Sequence, residues 1–341
     1  MHKALRLTAC GVVIFTALQA SASEGGASTY IVNGDEVLSI DEFPSFSSLY
    51  FDQLDTSGLY QNYCGATILD EYHVLTAAHC VEGDSYYYTY TSIAPQLLNE
   101  QQVLNGSVQL IRASEFYYPD TFVDSEALSW PDDIAIVKLE SPMPVSPSDY
   151  VTLANLSDIA SYDIPGTTME VIGHGYTRSA TDNTDALQKT TQTLLSSSEC
   201  PSADTGSKQL CLIGDYSANT ELLNSTCGGD SGGPLYWYNG SQYIQVGITS
   251  YGPTQCGNPD SDYSSAYTEV AEYGDWIADV LAGRMTPQVV VTEFDRENYT
   301  PDEGDGGFGD DSGGSLSWAW LLALIVGRRG LQSRRSKNSI D

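Results

Sequence analysis

Short runs of apolar residues separated by polar turns dominate the chain from about residue 43 to residue 270. The runs are rich in β-branched and aromatic residues, and the turns contain Gly, Pro, Asn and Asp, which is the pattern of β-strands in an all-β protein. A segment with three prolines, residues 141–147, divides the runs into two groups, because proline interrupts a strand ladder. The predicted strands cover residues 45–51, 63–69, 73–76, 103–111, 134–139, 169–172, 190–195, 234–238, 243–250 and 266–270.

The apolar pattern changes after the last predicted strand. Between residues 276 and 281, apolar side chains recur at one-, three- and four-residue spacings, which predicts one short amphipathic helix. From Gly283 to Gly314 no apolar period remains, and Asp, Glu and Gly dominate after Thr300. Such a composition cannot bury a core, so we predict a disordered acidic linker over residues 283–314.

Both ends of the chain carry an apolar run of their own. Residues 1–22 combine a basic start, an apolar centre and the small residues Ala20-Ser21-Ala22, which is the pattern of a secretory signal peptide. Residues 315–341 contain a short hydrophobic segment followed by an arginine-rich tail. This apolar run is shorter than the ~20 residues of a membrane span, so a plain amphipathic tail is the alternative interpretation.

Charge narrows the range of partners. The 341 residues carry 45 acidic and 14 basic side chains, a formal net charge of −31, and half of the basic ones lie in the two ends. Nucleic acid is disfavoured as a partner, because its binding needs a basic surface. Because salt screens the self-repulsion of an acidic surface, we expect a saline, extracellular setting.

Cysteine usage indicates an oxidising compartment. One of the seven cysteines, Cys10, lies in the predicted signal peptide, which leaves an even set of six, as in disulfide-bonded secreted domains. Six cysteines allow 15 pairings, and their spacing does not choose among these. A zinc site is the competing interpretation, but no Cys-x-x-Cys or His-x-x-His spacing is present, so no metal and no cofactor is predicted. The six are Cys64, Cys80, Cys200, Cys211, Cys227 and Cys256.

A glycine-rich motif around Ser231 carries the first sign of chemistry. Residues 228–233 read Gly-Gly-Asp-Ser-Gly-Gly, and glycines allow a sharp turn and a close approach of the backbone to a ligand. Such a turn can aim the N–H groups of Gly229 and Ser231 at one point, as an oxyanion requires. A Gly-rich hairpin turn is the alternative interpretation.

Two further motifs supply the groups that a serine nucleophile needs. Serine is a weak nucleophile without a base to take its proton, and a histidine suits this role because its pKa lies near neutrality. His79 lies in Thr-Ala-Ala-His-Cys, and Asp133 precedes Ile-Ala-Ile-Val. Asp133 can orient the imidazole, with the neighbouring Asp132 as the rival carboxylate.

The three motifs together, with histidine, aspartate and serine in this chain order, resemble those of the chymotrypsin-like (trypsin-like) serine proteases over about residues 31–281. The resemblance implies two packed six-stranded antiparallel β-barrels with a short C-terminal helix, in a protease domain over residues 31–282. It also implies a triad of Ser231, His79 and Asp133 that hydrolyses peptide bonds through an acyl-enzyme, since the family places this aspartate immediately before Ile-Ala. The implied disulfides are Cys64–Cys80, Cys200–Cys211 and Cys227–Cys256.

The start of this domain resembles the mature N-terminus of the family. Residues 31–34 read Ile-Val-Asn-Gly, similar to Ile-Val-Gly-Gly, which implies a zymogen whose short propeptide, residues 23–30, is removed by cleavage before Ile31. The resemblance implies that the new α-amino group pairs with Asp230, since an uncompensated buried charge is costly. Tyr30 replaces the Arg or Lys of many relatives, so a trypsin-like activator is not expected. Self-activation follows if aromatic residues are accepted before the cut bond.

The resemblance also assigns residues of the substrate cleft. Ser225, six positions before the nucleophile, matches the floor of the primary specificity pocket, where trypsin-like members carry an aspartate. A neutral serine there implies cleavage after uncharged residues, either aromatic or of medium apolar size. Ser265 replaces a wall glycine and narrows the pocket, while Gly252 leaves the opposite wall open. Ser250 resembles the serine that supports the buried aspartate, and Ser250, Tyr251 and Gly252 are expected to pair with substrate as an added strand.

The order of Gly313-Gly314, an apolar run and arginines looks like the Gly-Gly C-terminal sorting tails of Gram-negative secreted proteins. That likeness implies a rhomboid-type protease that cuts near the glycines and a transient, tail-mediated membrane association. It also implies a final location in the medium or on the cell surface, reached through the periplasm. We expect a monomer that acts on protein or peptide substrates.

Two other functions share parts of this pattern. An inactive protease fold used as a binding module or adhesin usually lacks a triad residue, whereas all three are present here. An esterase of the α/β-hydrolase class carries its triad in the chain order Ser-Asp-His, which differs from the order found here.

Overall fold

Two closed antiparallel β-barrels make up most of the protein in a computed structural model that describes residues 31–83, 85–176, 185–200 and 208–300. Each barrel has six strands, and the described helices are short. The predicted all-β fold, with two six-stranded barrels and a short C-terminal helix, is confirmed.

The first barrel is built from the N-terminal half of the chain. β2 pairs with β3 and β5, β4 links β3 to β7, and β6 joins β5 and closes the barrel on β7. Its interior is apolar, with Leu49, Ile93 and Phe116 fully buried. In chain order this half contains β1 (Asp35–Glu36), β2 (Phe46–Gln53), β3 (Leu59–Ile68), β4 (His73–Thr76), α1 (Ser85–Thr89), β5 (Thr91–Pro95), α2 (Gln101–Leu104), β6 (Ile111–Tyr117) and β7 (Ala135–Leu139).

The second barrel follows the proline-containing segment. β13 pairs with β8 and β14, β15 joins β14 to β10, and β9 joins β10 to β8 and so closes the barrel, while β1 adds to β9 from outside. Its elements are α3 (Ile159–Tyr162), β8 (Thr168–Gly173), β9 (Gln188–Leu194), β10 (Gln209–Gly214), β11 (Tyr216–Ser217), β12 (Leu222–Leu223), β13 (Pro234–Tyr238), β14 (Tyr243–Tyr251), β15 (Ser265–Glu269) and α4 (Gly274–Leu281).

Most predicted strands overlap observed ones, but the strand predicted at residues 103–111 is wrong. Val103 lies in α2, where it is buried in a small cluster with Tyr50 and Leu97, and β6 begins only at Ile111. The apolar residues that suggest a strand therefore belong to a satellite cluster outside the main core. The predicted strands also leave out β5, which is short and rich in small or polar residues, and the six-residue β10.

Ordered structure continues beyond α4 along the outside of the first barrel. β16 (Val289–Val290) pairs with the part of β6 that β5 leaves uncovered, and α5 (Glu293–Glu297) follows. We call residues 288–299 the C-terminal strap. The predicted disordered linker thus differs from the structure over residues 283–300, while 301–314 lie outside the described residues. An unpaired strand edge favours the addition of a strand, which a composition-based prediction does not reveal.

Arg296 anchors the C-terminal strap. Its guanidinium Nε donates to the Thr89 carbonyl at 3.2 Å, and Nη2 donates to the Ala113 carbonyl at 2.5 Å. Nη1 pairs with Glu140 at 2.6 Å, and the Arg296 side chain is only 5 % exposed. A buried guanidinium is tolerated only with such partners. One side chain therefore ties together α1, β6 and the end of β7.

The predicted signal peptide (1–22), propeptide (23–30) and hydrophobic tail (315–341) lie outside the described residues. Within the described ranges, no helix combines the length and the apolar character that crossing a bilayer requires.

Candidate active site

Strand pairing brings His79 and Asp133 together. His79 lies in the 3₁₀ turn Ala78–Cys80, just after β4, and Asp133 lies two residues before β7. Because Thr76 of β4 pairs with Ala135 of β7, both residues start from neighbouring strand ends. His79 Nδ1 lies 2.8 Å from Asp133 Oδ2, and the His79 backbone N–H donates to Oδ1 at 3.0 Å. Asp133 therefore fixes both the ring and the backbone of His79.

Residues of the second barrel complete the hydrogen bonds of Asp133. Ser250 Oγ donates to Asp133 Oδ2 at 2.5 Å, and Thr268 Oγ1 donates to the Asp133 carbonyl at 2.7 Å. Burial disfavours the charged form of Asp133, but the charge of His79 and the hydrogen bonds from His79 and Ser250 outweigh burial and hold the pKa of Asp133 below its usual range. Burial likewise disfavours the imidazolium, but the charge and hydrogen bond of Asp133 outweigh it and raise the pKa of His79.

The turn that carries Ser231 packs against the strand that leads to His79. The Ser231 carbonyl accepts a hydrogen bond from the Gly65 N–H at 2.7 Å. Gly232 lies so close to β4 that an added Cβ would be 2.1 Å from Thr76 Oγ1. Only glycine fits at this position, so the close approach of the Ser231 turn to the His79 strand depends on the glycine-rich motif.

Two backbone N–H groups of the same turn have no acceptor among the described residues. Gly229 has φ +97° and Gly232 has φ +77°, left-handed conformations that glycine adopts without strain. Between them the Asp230 N–H donates to the Cys227 carbonyl at 3.1 Å, whereas in the described part of the chain neither the Gly229 nor the Ser231 N–H donates to a carbonyl. Two free N–H groups in one turn are the donors that an oxyanion needs.

The carboxylate of Asp230 is buried in a cradle of backbone. Oδ1 accepts from the Gly175 N–H and Oδ2 from the Cys227 N–H, each at 2.8 Å. An added Cβ at Gly173 would lie 2.1 Å from Oδ1. Burial raises the pKa of Asp230 to about 7, against the lowering effect of the two N–H groups. Across the described ranges no Lys, Arg or His forms an ion pair with Asp230.

Ile31, at the predicted cleavage site, is fully buried in the core of the second barrel. The Val32 N–H donates to the Ser225 carbonyl at 2.9 Å, two residues before Cys227, whose N–H binds Asp230. Ile31 has φ +47°, which is strained for a β-branched residue. The segment that follows the cleavage site is therefore docked next to the residues that hold Asp230.

The three residues assigned to the primary specificity pocket lie together. Ser225 is fully buried, and its hydroxyl donates to the carbonyls of Thr226, at 2.8 Å, and Ser264, at 3.0 Å. An added Cβ at Gly252 would lie 3.0 Å from the Ser264 carbonyl and 4.0 Å from the Cα of Ser265. The residue assigned to the floor is therefore neutral, and the residues assigned to the two walls lie close to each other.

Ser265 belongs to a buried neutral network that the sequence analysis does not identify. Its Oγ accepts from Thr226 Oγ1 at 2.8 Å and from Gln192 Nε2 at 3.0 Å. Gln192 Oε1 in turn accepts from the Tyr267 hydroxyl at 2.7 Å. Gln192 occupies a buried position of β9. From the sequence alone, a polar residue in a strand is expected to be exposed.

A group of aromatic rings lies beside the candidate triad. We call Trp130, Tyr251 and Tyr263 the aromatic shelf. The ring centroids of Trp130 and Tyr251 are 4.9 Å apart, and those of Tyr251 and Tyr263 are 6.3 Å apart. Tyr251 follows Ser250, and Trp130 lies three residues before Asp133. Of these three residues only Tyr251 is predicted from the sequence, although the spacing of Trp130 from Asp133 is a usable signal.

Two other histidines lie in the described ranges, and both have local roles. His73 Nδ1 pairs with Asp70 at 2.8 Å. His174 is buried with its ring centroid 5.6 Å from that of Phe46, and burial lowers the pKa of His174 to about 3. Neither contacts the His79–Asp133 pair through a described hydrogen bond, so His79 is the candidate base.

Three disulfides hold the site together. The Cys64–Cys80 bond joins the neighbours of Gly65 and His79, and so connects the strand that binds Ser231 to the turn that carries the histidine. Among the described residues, Cys64, His79 and Cys80 form the one cluster of metal-ligand types, but its sulfurs are bonded to each other and are not thiolate ligands. The bonds are Cys64–Cys80, Cys200–Cys211 and Cys227–Cys256, the pairing that the resemblance implied.

Known proteins of similar sequence define the class of this molecule. A profile of the trypsin family matches residues 31–277. Trypsin-1 from Astacus astacus is 32% identical over 257 residues, which cover 72% of this chain and 98% of that protein. The thrombin-like enzyme elegaxobin-1 from Protobothrops elegans is 31% identical over 258 residues, which cover 74% of this chain and 97% of that protein.

The chain belongs to the trypsin family and is a serine endopeptidase, a hydrolase that acts on protein or peptide substrates. Its three disulfides fit a protein that folds outside the reducing cytosol. The family match ends before the C-terminal strap.

Proposed function

We propose that the protein is a secreted serine endopeptidase, made as a zymogen, in which Ser231, His79 and Asp133 form the catalytic triad. The observation that carries this proposal is the 2.8 Å contact between His79 Nδ1 and the buried Asp133, close to a turn with two free N–H groups. With Nδ1 bound to the carboxylate, Nε2 is the ring atom available to accept a proton.

In the proposed mechanism Ser231 Oγ attacks the carbonyl carbon of the scissile peptide bond, and its proton passes to His79 Nε2. Asp133 stabilises the imidazolium, while the N–H groups of Gly229 and Ser231 donate to the oxyanion. His79 then gives the proton to the leaving amine, and an acyl-enzyme remains on Ser231. His79 takes a proton from water as the water attacks the acyl carbonyl, and then returns that proton to Ser231 Oγ as the Ser231 ester bond breaks and the carboxylic product leaves.

A serine-reactive phosphonate tests this proposal directly. We expect the processed protein to be labelled on Ser231 and to hydrolyse peptides, and Ser231→Ala to do neither. Ser241→Ala, in an exposed turn of the second barrel, is the matched control and should be labelled like the unmodified protein. A folded, processed protein that takes no label would favour the inactive binding module instead.

We propose a preference for uncharged residues before the scissile bond. The hydroxyl of Ser225 at the pocket floor is neutral and engaged with backbone carbonyls, so a buried Lys or Arg would lack a counter-charge. The close walls at Gly252 and Ser265 favour flat aromatic or medium apolar side chains. A peptide-library profile, with Ser231→Ala as the blank, should show such residues. Dominance of Lys or Arg would contradict the pocket assignment.

We infer that cleavage before Ile31 activates the enzyme. The φ torsion of Ile31 includes the carbonyl carbon of Tyr30, so cleavage removes this torsion together with its strain. The new α-amino cation would start from a segment already docked beside the residues that hold Asp230. A cation there would stabilise the Asp230 carboxylate, whose pKa burial has raised to about 7.

The Tyr30–Ile31 bond also suits the proposed aromatic preference, which supports self-activation. A purified Ser231→Ala zymogen should stay intact alone and be cut before Ile31 when active enzyme is added. Cleavage of the variant without added active enzyme would show that a protease other than this enzyme cuts the Tyr30–Ile31 bond.

We propose that the protein is exported through the periplasm of a Gram-negative bacterium and cut near Gly313-Gly314 by a rhomboid-type protease. The patterns of both ends and the three disulfides support this route. Mass spectrometry of the protein from culture medium should find a chain that starts at Ile31 and ends near Gly314. A secreted chain that still ends at Asp341 would contradict the processing step.

A further inference from the structure

The first residue of β10, Gln209, bridges two parts of the candidate site. Its Nε2 donates to the Ser129 carbonyl at 2.6 Å and lies 3.3 Å from the Trp130 carbonyl. Its Oε1 accepts from the Tyr251 hydroxyl at 2.9 Å. One side chain of the second barrel therefore connects the loop before Asp133 to the end of the strand that carries the proposed substrate-pairing residues.

The loop that Gln209 holds is strained. Non-glycine residues adopt left-handed φ values only at a cost, and the surrounding structure must hold them there. Part of that hold comes from Thr268, the register partner of Gln209 across the β10–β15 pair, which donates to the Asp133 carbonyl. The left-handed residues of the loop are Ser129 (φ +56°), Trp130 (φ +43°) and Asp132 (φ +56°).

The conformation of this loop decides where the Trp130 ring lies. The ring is tilted by 34° over Tyr251, and its Nε1 donates to Asp124 at 2.6 Å. Gln209 thus holds the backbone of one ring and the hydroxyl of the other. Aromatic surfaces of this kind bind apolar side chains, and their fit depends on the relative placement of the rings.

We propose that Gln209 is a positioning residue that sets the geometry of the aromatic shelf for the side chains of an extended peptide that precede the residue at the scissile bond. This role rests on the proposed peptidase function. Without the Gln209 amide the Ser129 and Trp130 carbonyls lose their donor, the strained loop relaxes, and Trp130 moves relative to Tyr251. Recognition of extended peptides is then lost, while a small substrate that fills only the primary pocket is still hydrolysed.

The test uses three substrates with the same residue before the scissile bond and the same leaving group. One is an acetylated single-residue ester, one is a tetrapeptide with apolar residues at the preceding positions, and one is that tetrapeptide with glycine there. Active enzyme is counted by titration with the phosphonate, so that rates refer to folded, processed molecules. The variants are Gln209→Leu, which removes the hydrogen bonds to Ser129, Trp130 and Tyr251, and Tyr251→Phe, which removes only the last of these and keeps the ring.

For Gln209→Leu we expect kcat/KM on the apolar tetrapeptide to fall about tenfold, mainly through KM, which is the size of effect that one or two lost hydrogen bonds produce. On the ester the change should stay below about threefold. Tyr251→Phe should give a smaller loss with the same preference for the long substrate.

Equal losses on the ester and the apolar tetrapeptide would overturn the proposal, because Gln209 would then act through the triad or the fold. Unchanged kinetics in Gln209→Leu would also overturn it. So would an unmodified enzyme that hydrolyses the apolar and glycine tetrapeptides equally well, since the shelf would then contribute nothing to recognition. An enzyme that hydrolyses none of the three substrates would overturn the proposed function, and this inference with it.

Discussion

The two barrels contribute to the candidate site in different ways. The first barrel supplies His79 and Asp133 from an apolar core, and it is braced from outside by the buried guanidinium of Arg296. The second barrel supplies Ser231 and the residues assigned to the pocket, and its strands place neutral polar groups such as Gln192 at buried positions. Charge therefore supports the first half of the site, and neutral hydrogen bonds shape much of the second.

In the proposed mechanism this difference assigns proton transfer to the first barrel and recognition of the substrate to the second. A charged pair beside the nucleophile is what an imidazolium needs, and a neutral pocket floor accepts uncharged side chains without an unpaired charge. We therefore expect changes in the first barrel to affect rate, stability and pH dependence. Changes in the neutral network of the second barrel should affect stability modestly and substrate choice more.

The largest effect should come from Asp133. Asp133→Asn keeps the size of the side chain but removes the charge and favours the wrong tautomer of His79. In chymotrypsin-like triads the same change lowers kcat about 10⁴-fold, and we expect a loss of that order in steady-state kinetics. Asp132→Asn is the control, because Asp132 binds the Tyr273 hydroxyl instead. A larger loss for Asp132→Asn would show that the wrong carboxylate was assigned.

The second-largest effect should come from Arg296, which holds the C-terminal strap against the first barrel. Arg296→Ala removes the donor of the Thr89 and Ala113 carbonyls and the partner of Glu140, so the free energy of unfolding should fall by about 3 kcal/mol. Urea denaturation in a Ser231→Ala background, which cannot digest itself, measures this change. The matched control is Arg284→Ala, whose side chain is 59 % exposed and should cost less than about 1 kcal/mol. Equal losses would mean that the C-terminal strap is not a brace.

The C-terminal strap is a part of the fold that the sequence pattern does not predict. Runs of β-branched and aromatic residues predict strands, and the resemblance to the family implies the two barrels. The motifs around His79, Asp133 and Ser231 stand out because each keeps its chemistry in a few adjacent positions. The strap does not stand out, because its β-branched run, residues 289–291, is only three residues long and mostly polar or charged residues follow it. Its order depends on Arg296 meeting carbonyls more than 180 positions earlier in the chain, and no local pattern contains that contact.

The residues assigned to the specificity pocket and their neighbours show the same limit of prediction from the sequence. The resemblance to the family assigns Ser225 from its distance along the chain to Ser231, because both lie in one short segment. Gln192 and Gln209 cannot be found this way, since polar residues in a strand are expected to face water. Only the closed second barrel brings Gln192 to Ser265 and Gln209 to Tyr251.

The neutral network of the second barrel should give a smaller effect than the brace. Gln192→Leu leaves the Tyr267 hydroxyl without its acceptor and Ser265 without one donor, which should lower the free energy of unfolding by about 2 kcal/mol. The same variant should alter the ranking of residues accepted before the scissile bond. Gln101→Leu, which removes an exposed contact with Asp185, should change neither quantity. If Gln192→Leu lowered kcat but left the ranking of residues accepted before the scissile bond unchanged, the separation of recognition from proton transfer would be contradicted.

The smallest effect concerns pH. Burial opposes the charged form of His79, but Asp133 outweighs it and raises the pKa of His79. A base acts only when it is unprotonated. As the pH is lowered, kcat/KM should therefore begin to fall at a pH above the usual histidine pKa of about 6.5. Asp133→Asn should move this acid limb to lower pH, because the charge that favours the imidazolium is gone.

The same pair links the stability of the first barrel to pH. Because the pKa of His79 is raised in the folded state, its protonation favours folding, and this contribution is fully present below the unfolded pKa of about 6.5 and lost as pH rises through the folded pKa. The stability difference between the unmodified zymogen and His79→Gln should therefore shrink at alkaline pH. Gln192→Leu should leave the acid limb of kcat/KM in place, since its network carries no charge. If the acid limb moved as far in Gln192→Leu as in Asp133→Asn, the neutral network would be acting on the His79–Asp133 pair. The inferred separation of proton transfer in the first barrel from recognition in the second would then be wrong.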